Sequence, residues 1–179
     1  MADFVTYPHV ALTRKATPRP VDAAMLAAGE RLLEAARSVQ AYGLAAAHLD
    51  LDQPLVVISV AGDASQRDYR VLYNPEIVLV SGETSVGPEG SVSLPGIEVP
   101  VERATWVEIA YDNADGARET ARFEGFVARV AQHEIDQMNG VFFLARISRL
   151  KRDTALRSSR RAGASEPWQA EVDPGHRLR

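Results

Sequence analysis

The segment His133-Glu134-Ile135-Asp136-Gln137 constrains this chain more than any other feature of its sequence. It matches a helical H-E-x-x-H motif whose second histidine is replaced by glutamine. In the intact motif, both histidines lie on one helix face and bind a metal, while the glutamate acts as general base on the metal-bound water. Here one imidazole and the base are present, and Gln137 is a poor replacement ligand. The segment therefore predicts a metal-site scaffold with altered chemistry.

The composition indicates one globular domain. The 179 residues are 46% hydrophobic, enough for a sizeable core, and the formal net charge is −4. No long basic stripe interleaves with aromatic side chains, so DNA is not an expected partner. No apolar run approaches the ~20 residues that a membrane span needs, and the N-terminal sequence lacks the pattern of a secretory signal. We expect a cytoplasmic protein with no membrane partner. It contains no cysteine, which excludes disulfides and thiolate ligands.

Apolar periodicity and turn residues predict an α+β fold. Helices are expected at 22–39, capped by Asp22, and at 125–138, capped by Gly140. Strands are expected at 55–60, 71–73, 77–80, 105–111 and 119–123. Turns are expected at 74–75 and 113–116, and a loop with short extended pieces at 82–96. The prediction is a set of short antiparallel strands packed around one central helix that carries the H-E-x-x-H-like motif.

A change of composition separates residues 1–150, the predicted domain, from residues 151–179. The second segment holds seven Lys or Arg and four Asp or Glu, a net charge of +3, with few large apolar side chains. We expect a basic, polar tail that is partly helical, over 153–161, and loosely ordered from residue 163. Its charge suggests a solvated tail, or a weak contact with ribosomal RNA.

Three separated segments together carry a family resemblance. They are Tyr42-Gly-Leu-Ala-Ala-Ala-His48, Glu89-Gly-Ser-Val-Ser-Leu-Pro-Gly96 and the stretch from Ala128 to Val141. In this order they resemble the three signature motifs of peptide deformylases: G-x-G-[apolar]-A-A-x-Q, E-G-C-L-S and Q-H-E-x-D-H-x-x-G. The similarity covers nearly all of residues 4–147. Three ordered motifs are far more specific than a lone His-Glu pair.

The resemblance implies an α+β fold and removal of the formyl group from N-formylmethionine on new polypeptides. It also implies Fe²⁺ or Zn²⁺ held by the cysteine of the second motif and both histidines of the third, with the glutamate as base. The first-motif glutamine and the backbone N–H after the cysteine stabilise the oxyanion in this family. The pocket lining implied for this chain consists of Gly43, Leu44, Glu89, Gly90 and Val92.

This sequence departs from the family pattern at the positions that carry the chemistry. The cysteine position is Ser91, the second histidine position is Gln137, and the catalytic glutamine position is His48. Only His133 remains as a strong ligand and only Glu134 as a base, while Val92 keeps the backbone N–H. A hydroxyl that is not ionised and a neutral amide oxygen are weak ligands beside imidazole. We therefore expect no metal cofactor to be retained.

Three functional hypotheses follow. In the first, the chain binds N-formylated or otherwise N-blocked peptides, or small acyl ligands, without normal deformylase activity. In the second, Ser91 is the nucleophile of a hydrolase or acyltransferase, with His48 or His133 as base and the Val92 N–H as oxyanion donor. In the third, His48 and His133 hold a metal with Glu134 or Gln137, and residual deformylase activity remains.

Overall fold

The computed structural model describes residues 2–162. Seven strands form two antiparallel sheets. The strands are β1 (Gly43–Ala45), β2 (Leu55–Ser59), β3 (Tyr69–Val80), β4 (Thr84–Ser91), β5 (Leu94–Ala104), β6 (Trp106–Asp112) and β7 (Arg118–Glu124). The five-stranded sheet has the order β1-β2-β3-β6-β7, and β4 and β5 form a separate two-stranded sheet. The expected α+β class and antiparallel pairing are confirmed.

Three helices complete the described fold: α1 (Ala23–Val39), α2 (Gly125–Met138) and α3 (Arg149–Ala162). The Asp22 carboxylate accepts a hydrogen bond from the Met25 N–H at 2.8 Å, which confirms the predicted cap of α1. Helix α2 is buried over most of its surface and packs against strands of both sheets. An apolar core between α2 and the five-stranded sheet therefore fixes the helix that carries the His-Glu pair.

Two local predictions are wrong. The expected turn at Asn74-Pro75 lies inside β3, where the pairing with β6 shifts register between Tyr73 and Glu76. Asn74 takes a positive φ of 48° there, and its side chain bonds both backbone groups of Arg19, which stabilises the irregular position. The expected loop at 82–96 is mostly the β4–β5 hairpin. A two-stranded sheet has free edges that tolerate proline, as at the Pro88–Pro100 pair.

The C-terminal helix starts earlier than predicted, at Arg149 rather than residue 153. Ser148 Oγ accepts a hydrogen bond from the Lys151 N–H at 3.3 Å and so caps the helix. The prediction missed this cap because it placed the boundary of the segment at the change of composition at residue 151. The helix packs its Ala155 and Leu156 against a core cluster that includes Phe142 and Phe143. Residues 163–179, predicted to be loosely ordered, lie outside the described residues, and the ribosomal contact stays a prediction. No helix among residues 2–162 is long and apolar enough to cross a membrane.

Candidate functional site

A cavity of about 440 Å³ lies where β1, the β4–β5 hairpin and α2 meet. Nine of the ten predicted site residues line it: Gly43, Leu44, His48, Glu89, Gly90, Ser91, Val92, His133 and Glu134. Gln137 does not line it. The three sequence motifs, which are separated by up to ~90 positions in the chain, therefore meet around one space. A concave site of this volume is typical of small-molecule and peptide-end binding.

His133 is held by a carboxylate of the neighbouring sheet. Its Nδ1 lies 2.7 Å from Glu89 Oε1, and its Nε2 lies 3.8 Å from Glu134 Oε1. Burial acts to lower the pKa of His133, but the Glu134 and Glu89 carboxylates outweigh it and raise the pKa above its usual value. The ring orientation is thus fixed by β4, while the imidazole itself comes from α2.

Glu89 is the centre of a buried charge network. Arg103 approaches it in a bidentate pair, with Nε and Nη2 at 2.9 and 2.8 Å, and Arg129 Nη1 donates to it at 2.9 Å. Burial acts to raise the pKa of Glu89, but the hydrogen bonds and charges of Arg103 and His133 lower it to about 2. Glu89 is therefore an anion that orients His133 from the sheet side.

The surroundings of Glu134 raise the pKa of its carboxyl, whereas those of Glu89 lower it. Its side chain is buried, and Oε2 has no hydrogen-bond partner among the described residues. Burial raises the pKa of Glu134 to about 7, against the opposing charge of His133. With this pKa, both the protonated and the ionised carboxyl are populated near neutral pH, which suits a general base.

His48 is enclosed almost completely, with 1% of its surface exposed. Its Nδ1 accepts a hydrogen bond from the Ala45 N–H at 3.0 Å, so the neutral ring carries its proton on Nε2. Burial, together with the charge of His133, lowers the pKa of His48 to about 3. Nε2 has no partner within the described part of the chain. His48 is thus a neutral ring with one unused donor beside the cavity.

The two substituted ligand positions use their polar atoms locally. Ser91 Oγ accepts a hydrogen bond from the Ser93 N–H at 3.1 Å, and over residues 2–162 it bonds to neither His48 nor His133. The Gln137 side-chain N–H donates to the Leu12 carbonyl oxygen at 2.8 Å, which ties it to the N-terminal segment rather than to the cavity. Within residues 2–162, no three His, Asp or Glu side chains are grouped so that they could hold a metal ion.

Several lining residues were not predicted from the sequence. Phe126 and Val130 of α2 line the cavity together with His133 and Glu134. Val130 follows Phe126 by four residues and precedes His133 and Glu134 by three and four, which places all of them on one helix face, a signal that was present in the sequence. Arg129 lines it as well and, with Arg103, neutralises Glu89. Because Arg103 lies in β5 and Arg129 in α2, no pattern in the local sequence indicates that both bind the same carboxylate.

A His-Glu pair on a buried helix, facing an open cavity between antiparallel sheets, is typical of a hydrolase scaffold. The sequence model of the polypeptide deformylase family matches residues 1–153, and the chain belongs to this family. The resemblance drawn from the three motifs is confirmed.

Relatives of this chain are described either as peptide deformylases or as peptide deformylase-like proteins. A peptide deformylase-like protein of Rhizobium meliloti (strain 1021) is 38% identical over 137 residues, which cover 76% of this chain and 78% of the relative. A peptide deformylase of Agrobacterium fabrum (strain C58 / ATCC 33970) is 36% identical over 146 residues, 82% of this chain and 86% of the relative. The crystal structure of a peptide deformylase from Legionella pneumophila matches with a TM-score of 0.81 and 30% identity, over 93% of this chain and 99% of that one.

Proposed function

We propose that this chain binds the N-acylated end of a peptide, such as an N-formylmethionyl peptide, and lacks the usual metal-dependent deformylase activity. One observation carries the proposal. The polar atoms of Ser91 and Gln137, which stand at two ligand positions of the family, are hydrogen-bonded to Ser93 and Leu12, while the cavity between the motifs is retained. This supports a scaffold that serves binding without the metal ligands of the family.

The donors do not fit iron or zinc. Zinc and iron sites need three protein ligands or more, usually imidazole, thiolate or carboxylate. His133 offers one imidazole nitrogen, because its Nδ1 is bonded to Glu89. In the second histidine, His48, Nδ1 accepts the Ala45 N–H and Nε2 carries the proton, so neither nitrogen has a lone pair for a metal. The Ser91 hydroxyl is not ionised near neutral pH and is a weak ligand. Without a metal, no water is acidified, so amide hydrolysis loses its nucleophile.

Two buried polar groups beside the cavity are complementary to an acyl amide. His48 Nε2–H is a donor without a partner, and Glu134 Oε2 is an acceptor without one, among the described residues. An unsatisfied buried polar atom costs ~1–3 kcal/mol. A ligand whose carbonyl oxygen accepts from His48, and whose amide N–H donates to Glu134, satisfies both. Apolar side chains such as Leu44, Val92 and Val130 line the remaining space and accept a hydrophobic first side chain.

Isothermal titration with formyl-Met-Ala-Ser tests this function, with the unformylated peptide Met-Ala-Ser as the matched control. We expect saturable binding of the formylated peptide, weaker binding of the control by about tenfold for the loss of one acyl group, and no formate released on prolonged incubation. Release of formate at a rate that a chelator abolishes would contradict the proposal. Absence of binding by any N-blocked peptide would contradict it equally.

A further inference from the structure

An arginine adjoins the lining of the cavity and stacks on one of its aromatic side chains. The guanidinium carbon of Arg67, in the loop between β2 and β3, lies 3.9 Å from the centroid of the Tyr42 ring. Tyr42 meets Phe126 edge to face, with ring centroids 4.7 Å apart. Both rings line the cavity, and they are 40% and 47% exposed. The two rings therefore belong to the site and are partly open to solvent.

The guanidinium is held in place from the protein side. Arg67 Nε donates to the Gln40 carbonyl oxygen at 2.9 Å, and Nη1 donates to the carbonyl oxygens of Ala64 and Gln66 at 2.8 and 2.9 Å. Ala64 itself lines the cavity. These acceptors are neutral backbone groups, and no ion pair of the described residues includes Arg67. The cation thus contacts two lining residues, Tyr42 and Ala64, and its charge is not paired with a carboxylate of the described residues.

The other charged groups of the lining do not play this part. Arg129 already donates to Glu89 and to the Val101 carbonyl oxygen, at 2.9 and 2.7 Å. Glu98 lines the cavity from β5 and is exposed. Because its carboxylate repels an anion, it restricts an anionic group of a ligand to the Arg67 side of the cavity.

We propose that Arg67 binds the α-carboxylate of a short N-acylated peptide whose acyl end occupies the cavity. This inference rests on the proposed function and names its ligand class. Nη2 of Arg67, which has no hydrogen bond within residues 2–162, donates to the carboxylate in a charge-assisted bond, and stacking on Tyr42 keeps the guanidinium plane oriented. A cavity of about 440 Å³ suits a ligand of a few residues, so the free carboxylate of such a peptide reaches the Arg67 side of the cavity. A long nascent chain has no carboxylate at this distance.

The test compares free acids with the corresponding amides by titration calorimetry. Formyl-Met, formyl-Met-Ala and formyl-Met-Ala-Ser are each measured with a carboxylate and with a carboxamide terminus. For at least one length, we expect the acid to bind about fivefold more tightly than the amide, the size of a partly exposed ion pair, and the preference to shrink at high salt. Arg67→Gln removes this preference, and Arg67→Lys, which keeps the charge, retains part of it.

Arg122→Gln is the matched control variant. Arg122 also stacks on an aromatic ring, at 3.6 Å from the Trp106 centroid, but this ring does not line the cavity, whereas the ring under Arg67, Tyr42, does. We expect this variant to keep the full preference for acids. Equal binding of acid and amide at every length by the unaltered protein would overturn the inference alone. A failure of both acids and amides to bind would overturn the proposed function as well.

Discussion

Among single residues, His48 has a pKa far from that of a solvated histidine, because it is buried. It is buried at 1% exposure, its Nδ1 accepts the Ala45 N–H, and its pKa is lowered to about 3. Because the folded-state pKa lies below the ordinary value of 6.5, the unfolded chain binds a proton first as the pH falls. The stability that this neutral ring contributes is therefore complete above pH ~6.5 and is lost progressively toward pH ~3.

His48→Gln should reduce the acid sensitivity of the fold. The variant has no imidazole to protonate, so it should lose less stability than the unaltered protein between pH 7 and pH 5, by on the order of 2 kcal/mol. Urea unfolding at pH 7, 6 and 5 measures the difference. Two stability profiles that run parallel across this range would show that the burial of His48 does not lower its affinity for protons.

Much of the site could be predicted from single residues, and part of it could not. His133 and Glu134 are adjacent in a helical motif, so their placement followed from the local sequence. The role of Glu89 in orienting His133, at 2.7 Å, depends on a long-range contact between β4 and α2. The same holds for Gln137, whose amide reaches the Leu12 carbonyl oxygen. A pattern within one segment contains no information about which backbone group a distant segment will present.

At the scale of elements, the end of α2 depends on a close approach between two chain segments. Gly140 has φ of +78°, and a Cβ placed on it would lie 2.6 Å from the Thr13 carbonyl oxygen. The neighbouring Asn139 forms a β-bridge with Lys15, and the Ala16 N–H donates to the Met138 carbonyl oxygen. The predicted cap is thus also the point where the N-terminal segment is joined to the central helix.

Gly140→Ala should therefore be much more destabilising than a glycine substitution at a similar φ in open space. Gly116 supplies the control, because its φ is +79° and a methyl group added to it would meet no other atom within 4 Å. We expect a loss of about 1 kcal/mol for Gly116→Ala, from the left-handed backbone alone, and a further ~1–3 kcal/mol for Gly140→Ala from the clash. Thermal unfolding measures both variants. Equal losses of stability in Gly140→Ala and Gly116→Ala would contradict a close contact between Gly140 and Thr13.

The elements differ in how well the sequence indicates them. Helices α1 and α2 have caps and long apolar periodicity, so both were predicted closely. The β4–β5 hairpin contains three glycines and three prolines between residues 84 and 104, a composition that favours a loop. Cross-strand pairing from Thr84 with Ala104 to Ser91 with Leu94 nevertheless holds it extended. Tertiary pairing overrides local propensity there.

At the scale of the whole molecule, α3 continues the packed structure beyond the change of composition at residue 151. Leu156 contacts the cluster that contains Phe142, Phe143 and Leu144, whereas Leu150 on the same helix is 72% exposed. The basic side chains of α3 include Lys151, Arg157, Arg160 and Arg161. A basic helix can therefore be solvated on one face and still be anchored to the domain by the other.

Leu156→Ala should lower the free energy of unfolding by about 1–2 kcal/mol, because it removes part of a half-buried contact with this cluster. Leu150→Ala, the matched exposed position, should change it by less than about 0.5 kcal/mol. Chemical unfolding followed by circular dichroism compares the two. If both variants were as stable as the unaltered protein, α3 would contribute nothing to the stability of the domain.

The most direct measurement is the metal content of the protein, purified without a histidine tag and under anaerobic conditions, by inductively coupled plasma mass spectrometry. With Ser91 and Gln137 at two ligand positions and both engaged elsewhere, we predict iron, zinc and nickel far below one atom per chain. The variant Ser91→Cys/Gln137→His, which restores the family ligands, should retain more metal. Near-stoichiometric metal in the unaltered protein would contradict the account and direct attention to His48 and His133 as ligands.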